Sequence, residues 1–331
     1  ETNSPLTHSK PSKFSYQIVF NGHANYSRAF GSHSIEAMVY SAFHNYSAEY
    51  QHSPYLYPFK RILSGGMINY GFDDRYLVKL DLGYSGSEQF PQGNRFHFTP
   101  AASIGWVASN ERFLKNKNVL SFLKLRASHG QTANDDFGAR RYAYSDEVTF
   151  TGGGLITNLQ YLTKEVAYAN KNVEPEIIKK TNVGFDLELF NSLTINFDYF
   201  QEKIDNMYIS STGSVPAFQG VLLESFPYTN SGEMENKGFE LSAMYSKKIN
   251  KDLSFSLGGM LAFTQNKVLN SGEVELDDTY AYRYRSQGYA FKQEWGYRVD
   301  KSNGNGFFNS QAEIDNSGLT YEIGTPRVGD L

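Results

Sequence analysis

The sequence predicts an all-β fold: a transmembrane antiparallel β-barrel wall, about ten strands of it in this chain, with long loops at one end and short turns at the other. Three observations predict it. Apolar and polar residues alternate with period two in segment after segment. The links between those segments alternate strictly between short and long. Aromatic residues recur along single segments at a spacing that matches the apolar thickness of a bilayer.

The alternation places strands near 14–29, 33–49, 61–72, 75–87, 96–108, 120–133, 179–190, 193–206, 236–248 and 253–267. In Arg75–Ser85, RYLVKLDLGYS, one face carries Tyr76, Val78, Leu80, Leu82 and Tyr84, and the other carries Lys79, Asp81 and Ser85. Further along, Val183, Phe185, Leu187 and Leu189 oppose Asp186 and Glu188, and Ile195, Phe197 and Tyr199 oppose Asp198. Phe239 and Leu241 oppose Glu240, and in the last segment Phe255, Leu257, Leu261 and Phe263 share a face. Helix signals are scarce. Asn110–Asn116 could form one turn, and 158–171 is ambiguous between helix and strand.

Short links are expected at 30–33, 72–75, 190–192 and 249–252, with a modest one at 109–119. Long links are expected at 50–60, 88–95, 134–178, 207–235 and from 268 onward. A soluble sandwich has no reason to sort its loops by end, whereas an outer-membrane barrel has short periplasmic turns and long outer loops. Tyr76 and Tyr84 lie eight residues apart, as do Phe255 and Phe263. That is roughly 26 Å of strand, or ~20 Å of depth after a ~40° tilt, close to the ~25 Å apolar band and its aromatic girdles. A lysine facing lipid at mid-depth costs ~2–4 kcal/mol, so Lys79, and Asp81 with it, is expected to face a lumen.

Composition narrows the function classes. The 331 residues contain 24 Tyr and 25 Phe but no Cys, which removes disulfides and thiolate chemistry. A formal charge of −4 leaves no basic footprint for nucleic acid. Mean hydropathy is −0.49, a value that alternating strands and polar loops produce even in a membrane barrel. No run reaches the ~18 apolar residues of a helical span, and the first residues do not read as a signal peptide.

Several stretches carry a resemblance. RYLVKLDLGYSGSEQFPQGNRFHFTPAASIGWVASNERF (75–113) is similar to the strand–loop–strand signature of SusC/RagA-type TonB-linked outer-membrane transporters. FLKLRASHGQTAN (122–134), 180–207, 231–268 and 296–315 agree with the same family in order. The resemblance implies a 22-stranded barrel, of which residues 1–331 would be one internal part, without plug domain, TonB box or terminal strands. It also implies the outer membrane of a Gram-negative bacterium of Bacteroidota type, and import of glycan oligosaccharides or peptides. The implied partners are TonB, acting through the plug, and a SusD-like surface lipoprotein. No cofactor is implied, and no enzyme activity. A soluble β-rich, lectin-like protein and an outer-membrane barrel enzyme are the alternatives.

No catalytic constellation stands out. GYSGS (83–87) lacks the last glycine of a nucleophile elbow, and the seven histidines show no metal-ligating spacing. His44 and His129 read as lumen wall residues. Asp300–Gly306 hints at a calcium loop but has Ser302 and Gly304 where oxygen ligands are needed, so it reads as a Gly/Asn turn and no metal site is expected. TGGG (151–154) reads as a hinge or loop tip. The expected substrate contacts are loop residues: Arg140, Arg141, Tyr142, Tyr144, Tyr161, Tyr168, Phe218 and Tyr228, whose rings could stack on sugars or peptide side chains. The competing reading has those aromatics packing the loops on one another. Lys79, Asp81, Asp186, Glu188, Asp198 and Glu240 are expected to line the lumen.

Overall fold

A computed structural model describes residues 14–47, 57–114, 118–136, 138, 140–152, 161–210, 218, 226–274, 285–296, 299–318 and 326–330, with backbone only for 149–152 and 161–166. Residues 1–291 form one compact unit and 292–331 a second.

The first unit is built on ten antiparallel strands: β1 (Tyr16–Phe30), β2 (His33–Ser47), β3 (Phe59–Phe72), β4 (Tyr76–Ser87), β5 (Phe96–Val107), β6 (Leu120–Asn134), β9 (Glu176–Leu189), β10 (Leu193–Ser210), β11 (Tyr228–Lys248) and β12 (Ser254–Asn270). The intervening β7 (Glu147–Gly152) and β8 (Tyr161–Ala167) pair only with each other. Every strand of the large sheet neighbours the next in sequence, apart from the step from β6 to β9 over that hairpin. This up-and-down order is the one short turns enforce. The short turns use left-handed backbone, which Asp and Asn accept readily and Phe190 adopts less easily. Asp73 (φ 54°) and Asp74 (φ 50°) turn β3 into β4, and Phe190 (φ 55°) and Asn191 (φ 50°) turn β9 into β10. Between β11 and β12 the Asn250 side chain accepts from the Asp252 and Leu253 amides at 2.9 and 2.8 Å.

The two faces separate as alternation dictates. Tyr76, Val78, Leu80, Leu82 and Tyr84 are exposed, while Leu77, Lys79, Asp81 and Gly83 between them are half-buried. The register carries the apolar face across the sheet: Leu80 lies opposite Ile68 on β3 and Ala102 on β5. Among the described residues few apolar side chains are deeply buried: Phe90, Ala143 and Val173 lie in the loops, and Val107 and Val268 near the ends of β5 and β12. That inversion suits a wall whose apolar face meets lipid, since the core of such a protein is supplied by the bilayer.

Across β6 and β9 to β12 the apolar face ends on a sharp line, while on β4 and β5 it runs further along the strands, through Leu82, Tyr84 and Phe98. Ala127, Val183, Tyr199, Phe239 and Phe263 are mutually paired across β6, β9, β10, β11 and β12. One period-two step further from the short turns, the row is His129, Thr181, Gln201, Lys237 and Gln265. The next is Gln131, Lys179, Lys203, Glu235 and Lys267. His129 is thereby corrected: it shares the face of Leu125 and Ala127, bonds Thr181 through Nδ1 at 2.9 Å, and is not on the polar face of Lys124 and Arg126. β10 runs eleven residues beyond Tyr199, roughly 35 Å of strand past the apolar boundary.

Other expectations shift with the strand ends. The 207–235 link is shorter than expected, because 207–210 and 228–235 belong to β10 and β11. The 134–178 link contains β7 and β8, so Thr151 and Gly152 end a strand and are not a loop tip, while Gly153 and Gly154 lie outside the described residues. The expected turn at 110–116 falls as a 3₁₀ turn at Ala108–Asn110 followed by a further turn at 112–114.

In the second unit, a six-residue helix, Gln311–Asn316, is capped by Ser310, whose side chain accepts from the Glu313 amide at 3.3 Å. Ahead of it, 300–306 forms Asx-type turns: Asp300 accepts from the Ser302 amide and Asn303 from the Gly306 amide, both at 2.9 Å.

Candidate functional site

At the long-link end the loops are stitched into a platform with its own small core of Phe90, Ala143, Val173 and Pro175. Arg141 donates to the Tyr57 carbonyl at 3.0 Å and lies over the Phe59 and Tyr142 rings, both at 5.2 Å. Tyr142, at φ 54°, donates its hydroxyl to the Pro58 carbonyl at 3.2 Å, and Tyr144 donates to the Glu88 carbonyl at 3.5 Å. Burial pushes the Tyr142 phenol up, so it remains a donor. Arg140 donates to the Ser145 carbonyl at 2.6 Å and pairs with Glu147 at 3.3 Å. These four residues therefore spend polar atoms on tying the 140–147 segment together and to the entrance of β3 and the 88–95 link.

A second group is more open. Tyr208 stacks on Tyr228 at 5.3 Å, and Tyr168 packs on Phe226 at 6.4 Å. The two pairs are drawn together because Asn170 donates to the Tyr228 carbonyl at 2.9 Å. Asn230 completes the junction, donating to the carbonyls of Glu174 at 2.7 Å and Asn206 at 2.9 Å. A β-bulge re-aims this part of β10: the register slips between Ile204 and Tyr208, and Asn206 adopts φ 59°. Tyr168 and Tyr228 are exposed, and Phe218 is 89% exposed. The Tyr161 side chain lies outside the described residues. Tyr208 and Phe226 belong with Phe218 and Tyr228 to the aromatics of the 207–235 link, expected to contact substrate or to pack the loops; the proximity of Tyr208 to Tyr228 is created by β10–β11 pairing and has no local signature.

On the polar face, Lys79, Asp81, Asp186, Glu188, Asp198 and Glu240 all fall opposite the apolar rows. A groove of about 510 Å³ opens here, lined among others by Glu36, Asn69, Lys79, Ser103, Lys124 and Arg126. Its strongest electrostatic feature is Arg126, which sequence reading did not single out. Arg126 bonds both oxygens of Asp198, at 2.5 and 2.6 Å, and reaches Asp186 and Asn182 at 3.4 Å. Gly184 makes room for this fork. A Cβ there would collide with the Phe197 carbonyl oxygen and stand 2.8 Å from Asp198 Oδ1 and 3.3 Å from Arg126 Cζ. Lys79 pairs with Asp81 on its own strand at 3.2 Å. Among the described residues no group of acidic or histidine side chains is arranged to hold a metal ion.

At the short-turn end, Glu111 clamps two neighbouring turns. It accepts from Arg75 at 2.8 Å, from the Tyr76 hydroxyl at 2.6 Å and from Trp106 Nε1 at 3.2 Å. The Tyr76 hydrogen bond, with those from Trp106 and Arg75, holds the carboxyl below its ordinary value near 4.5. Asn110 adds a bond to the Asp74 carbonyl at 2.9 Å. The GW…NERF spacing contains Trp106 and Glu111, but Arg75 and Tyr76 sit 36 and 35 residues upstream and join the clamp only in the fold.

Comparison with known proteins fits this geometry. A family model described as TonB dependent receptor-like, beta-barrel, matches residues 7–329. The chain is 28% identical over 260 residues to TonB-dependent receptor P3 of Formosa agariphila, covering 77% of this chain and 25% of that protein. It is 26% identical over 282 residues to TonB-dependent receptor SusC of Bacteroides thetaiotaomicron, covering 77% and 27%. The chain thus spans about a quarter of the length of these curated relatives. Among solved structures, the RagAB peptide transporter superposes with a TM-score of 0.65 at 20% identity, over 78% of this chain and 30% of that one, a likeness of fold.

Proposed function

This chain belongs to the TonB dependent receptor-like β-barrel family, and we propose on that footing that it supplies wall and outer loops to an outer-membrane importer of large nutrients, glycan oligosaccharides or peptides. In this reading the whole protein works with TonB and with a SusD-like surface lipoprotein, and it moves cargo without transforming it. The polar face with Lys79, Asp81, Asp186, Glu188, Asp198 and Glu240 lines the lumen, and the apolar face meets lipid. The Tyr168, Phe226, Tyr208 and Tyr228 cluster supplies stacking surfaces for cargo, while Arg140, Arg141, Tyr142 and Tyr144 hold the platform that presents it.

The observation that carries this reading is the ordered exterior. A soluble lectin-like sheet would have to cover Val78, Leu80, Leu82, Ile104 and Leu261, all of which are exposed here. The test is uptake by cells carrying the full-length parent gene, fed labelled oligosaccharides or labelled peptides of several lengths. Uptake of one class that disappears when the gene or TonB is deleted is the expected result. Unchanged uptake of every class in both deletions would sink the importer reading.

A further inference from the structure

We propose that the exterior rows just beyond the apolar boundary bind phosphate-bearing headgroups of the surrounding bilayer lipid, with Lys237 and Lys267 as the anchoring pair. The proposal rests on the reading of this sheet as a membrane-crossing wall. Lys237 lies one period-two step beyond Phe239, and Lys267 two steps beyond Phe263, on the apolar side of the sheet. Those steps are ~7 and ~13 Å of strand, or ~5 and ~10 Å of depth after tilt. The polar layer outside the ~30 Å hydrocarbon core is about 5–8 Å thick on each side, so Lys237 lies within it and the flexible stem of Lys267 reaches back to its outer edge.

Electrostatics single out this pair among the row's lysines. Asp205 holds Lys179 at 2.7 Å and Lys203 at 2.8 Å, and Glu233 holds Lys203 as well at 3.0 Å. Among the described residues Lys237 and Lys267 carry no ion pair, and both are exposed. The carboxylate nearest them in register is Glu235, opposite Lys267, and it accepts from Gln201 at 2.5 Å. Lys237 and Lys267 are diagonal neighbours across β11 and β12, with Cα atoms roughly 7–8 Å apart. Two flexible ammonium groups at that separation can share one phosphate, each donating to a different oxygen.

The test uses the full-length parent, reconstituted into nanodiscs of mixed phosphatidylglycerol and phosphatidylcholine and then extracted into neutral detergent. Retained lipids are counted by native mass spectrometry. The wild type is expected to keep phosphatidylglycerol in preference to phosphatidylcholine, with the preference fading at high salt. Joint Lys237→Gln and Lys267→Gln substitution should weaken that retention about tenfold at low salt. Lys180→Gln, on the opposite face and paired with Glu202 at 3.1 Å, should leave it unchanged. Equal retention by the double variant and the wild type, both inserted, overturns the proposal and leaves the wall reading standing. Failure of the wild type to insert overturns both.

Discussion

Gly184→Ala is expected to loosen the wall from a position that touches neither lipid nor cargo. Gly184 sits between Arg126 and Asp198 in the register, and its missing side chain is the space through which the guanidinium fork reaches the carboxylate. A methyl group there meets the Phe197 carbonyl oxygen, part of the ladder itself, along with Asp198 Oδ1 at 2.8 Å and Arg126 Cζ at 3.3 Å. Backbone cannot step aside as a side-chain tip can, so the overpacking costs about 1–3 kcal/mol. Charge-assisted hydrogen bonds contribute ~1.5–3 kcal/mol in a dry setting; with side chains 31% and 21% exposed, ~1 kcal/mol is the fitting share here. The sum is about 2–4 kcal/mol. The assay is urea unfolding of the full-length parent in detergent, followed by loss of the compact, heat-modifiable gel form. An Asp198→Asn background separates the two contributions: Gly184→Ala should then cost only the backbone share, ~1–3 kcal/mol. A Gly184→Ala protein that unfolds within about 0.5 kcal/mol of the wild type would refute the argument that this glycine is required by close approach.

Two further outcomes follow from the faces and the turns. Leu80→Arg should lower outer-membrane assembly through a cost of ~2–4 kcal/mol at mid-depth, whereas Lys79→Leu, one residue away on the polar face, should assemble normally; equal yields would contradict the register of β4. The Glu111 carboxyl is held below its ordinary value by Tyr76, Trp106 and Arg75, so the clamp is at full strength above pH ~4.5 and is lost as pH falls through the lowered folded value. The part of the parent's tryptophan emission that a Trp106→Phe version lacks should change in that acidic window, and Glu111→Gln should remove the transition; an identical acid transition with and without Glu111→Gln would show that Glu111 is not its source.

Much of this was legible in the chain because alternation is local. A strand sends successive side chains to opposite faces, so Tyr76 through Tyr84 disclose their sidedness without any knowledge of partners. The turns are local too. Asp73–Asp74 and Asn250 carry the chemistry that reverses the chain within a few residues, which is why the short-link ends fell close to their expected positions.

Register was not legible, because it belongs to pairs of strands. In FLKLRASHG alternation already puts His129 on the face of Leu123, Leu125 and Ala127, against Phe122, Lys124, Arg126 and Ser128; its polarity suggests a lumen, and the run does not tell where along that face the apolar surroundings end. Pairing with β5 and β9 decides it, placing His129 beside Ala102 and Thr181. The same pairing brings Arg126 to Asp198 across 72 residues of chain, and Tyr76 to Glu111 across 35. It also aligns five separate strands so that their apolar faces stop on one line. The sequence by itself determined which residues alternate and where the chain turns, since sterics within a few residues enforce both. Only the tertiary structure decided the line where lipid ends and the glycine through which the charged fork passes, because each depends on hydrogen-bond ladders between segments far apart in the chain.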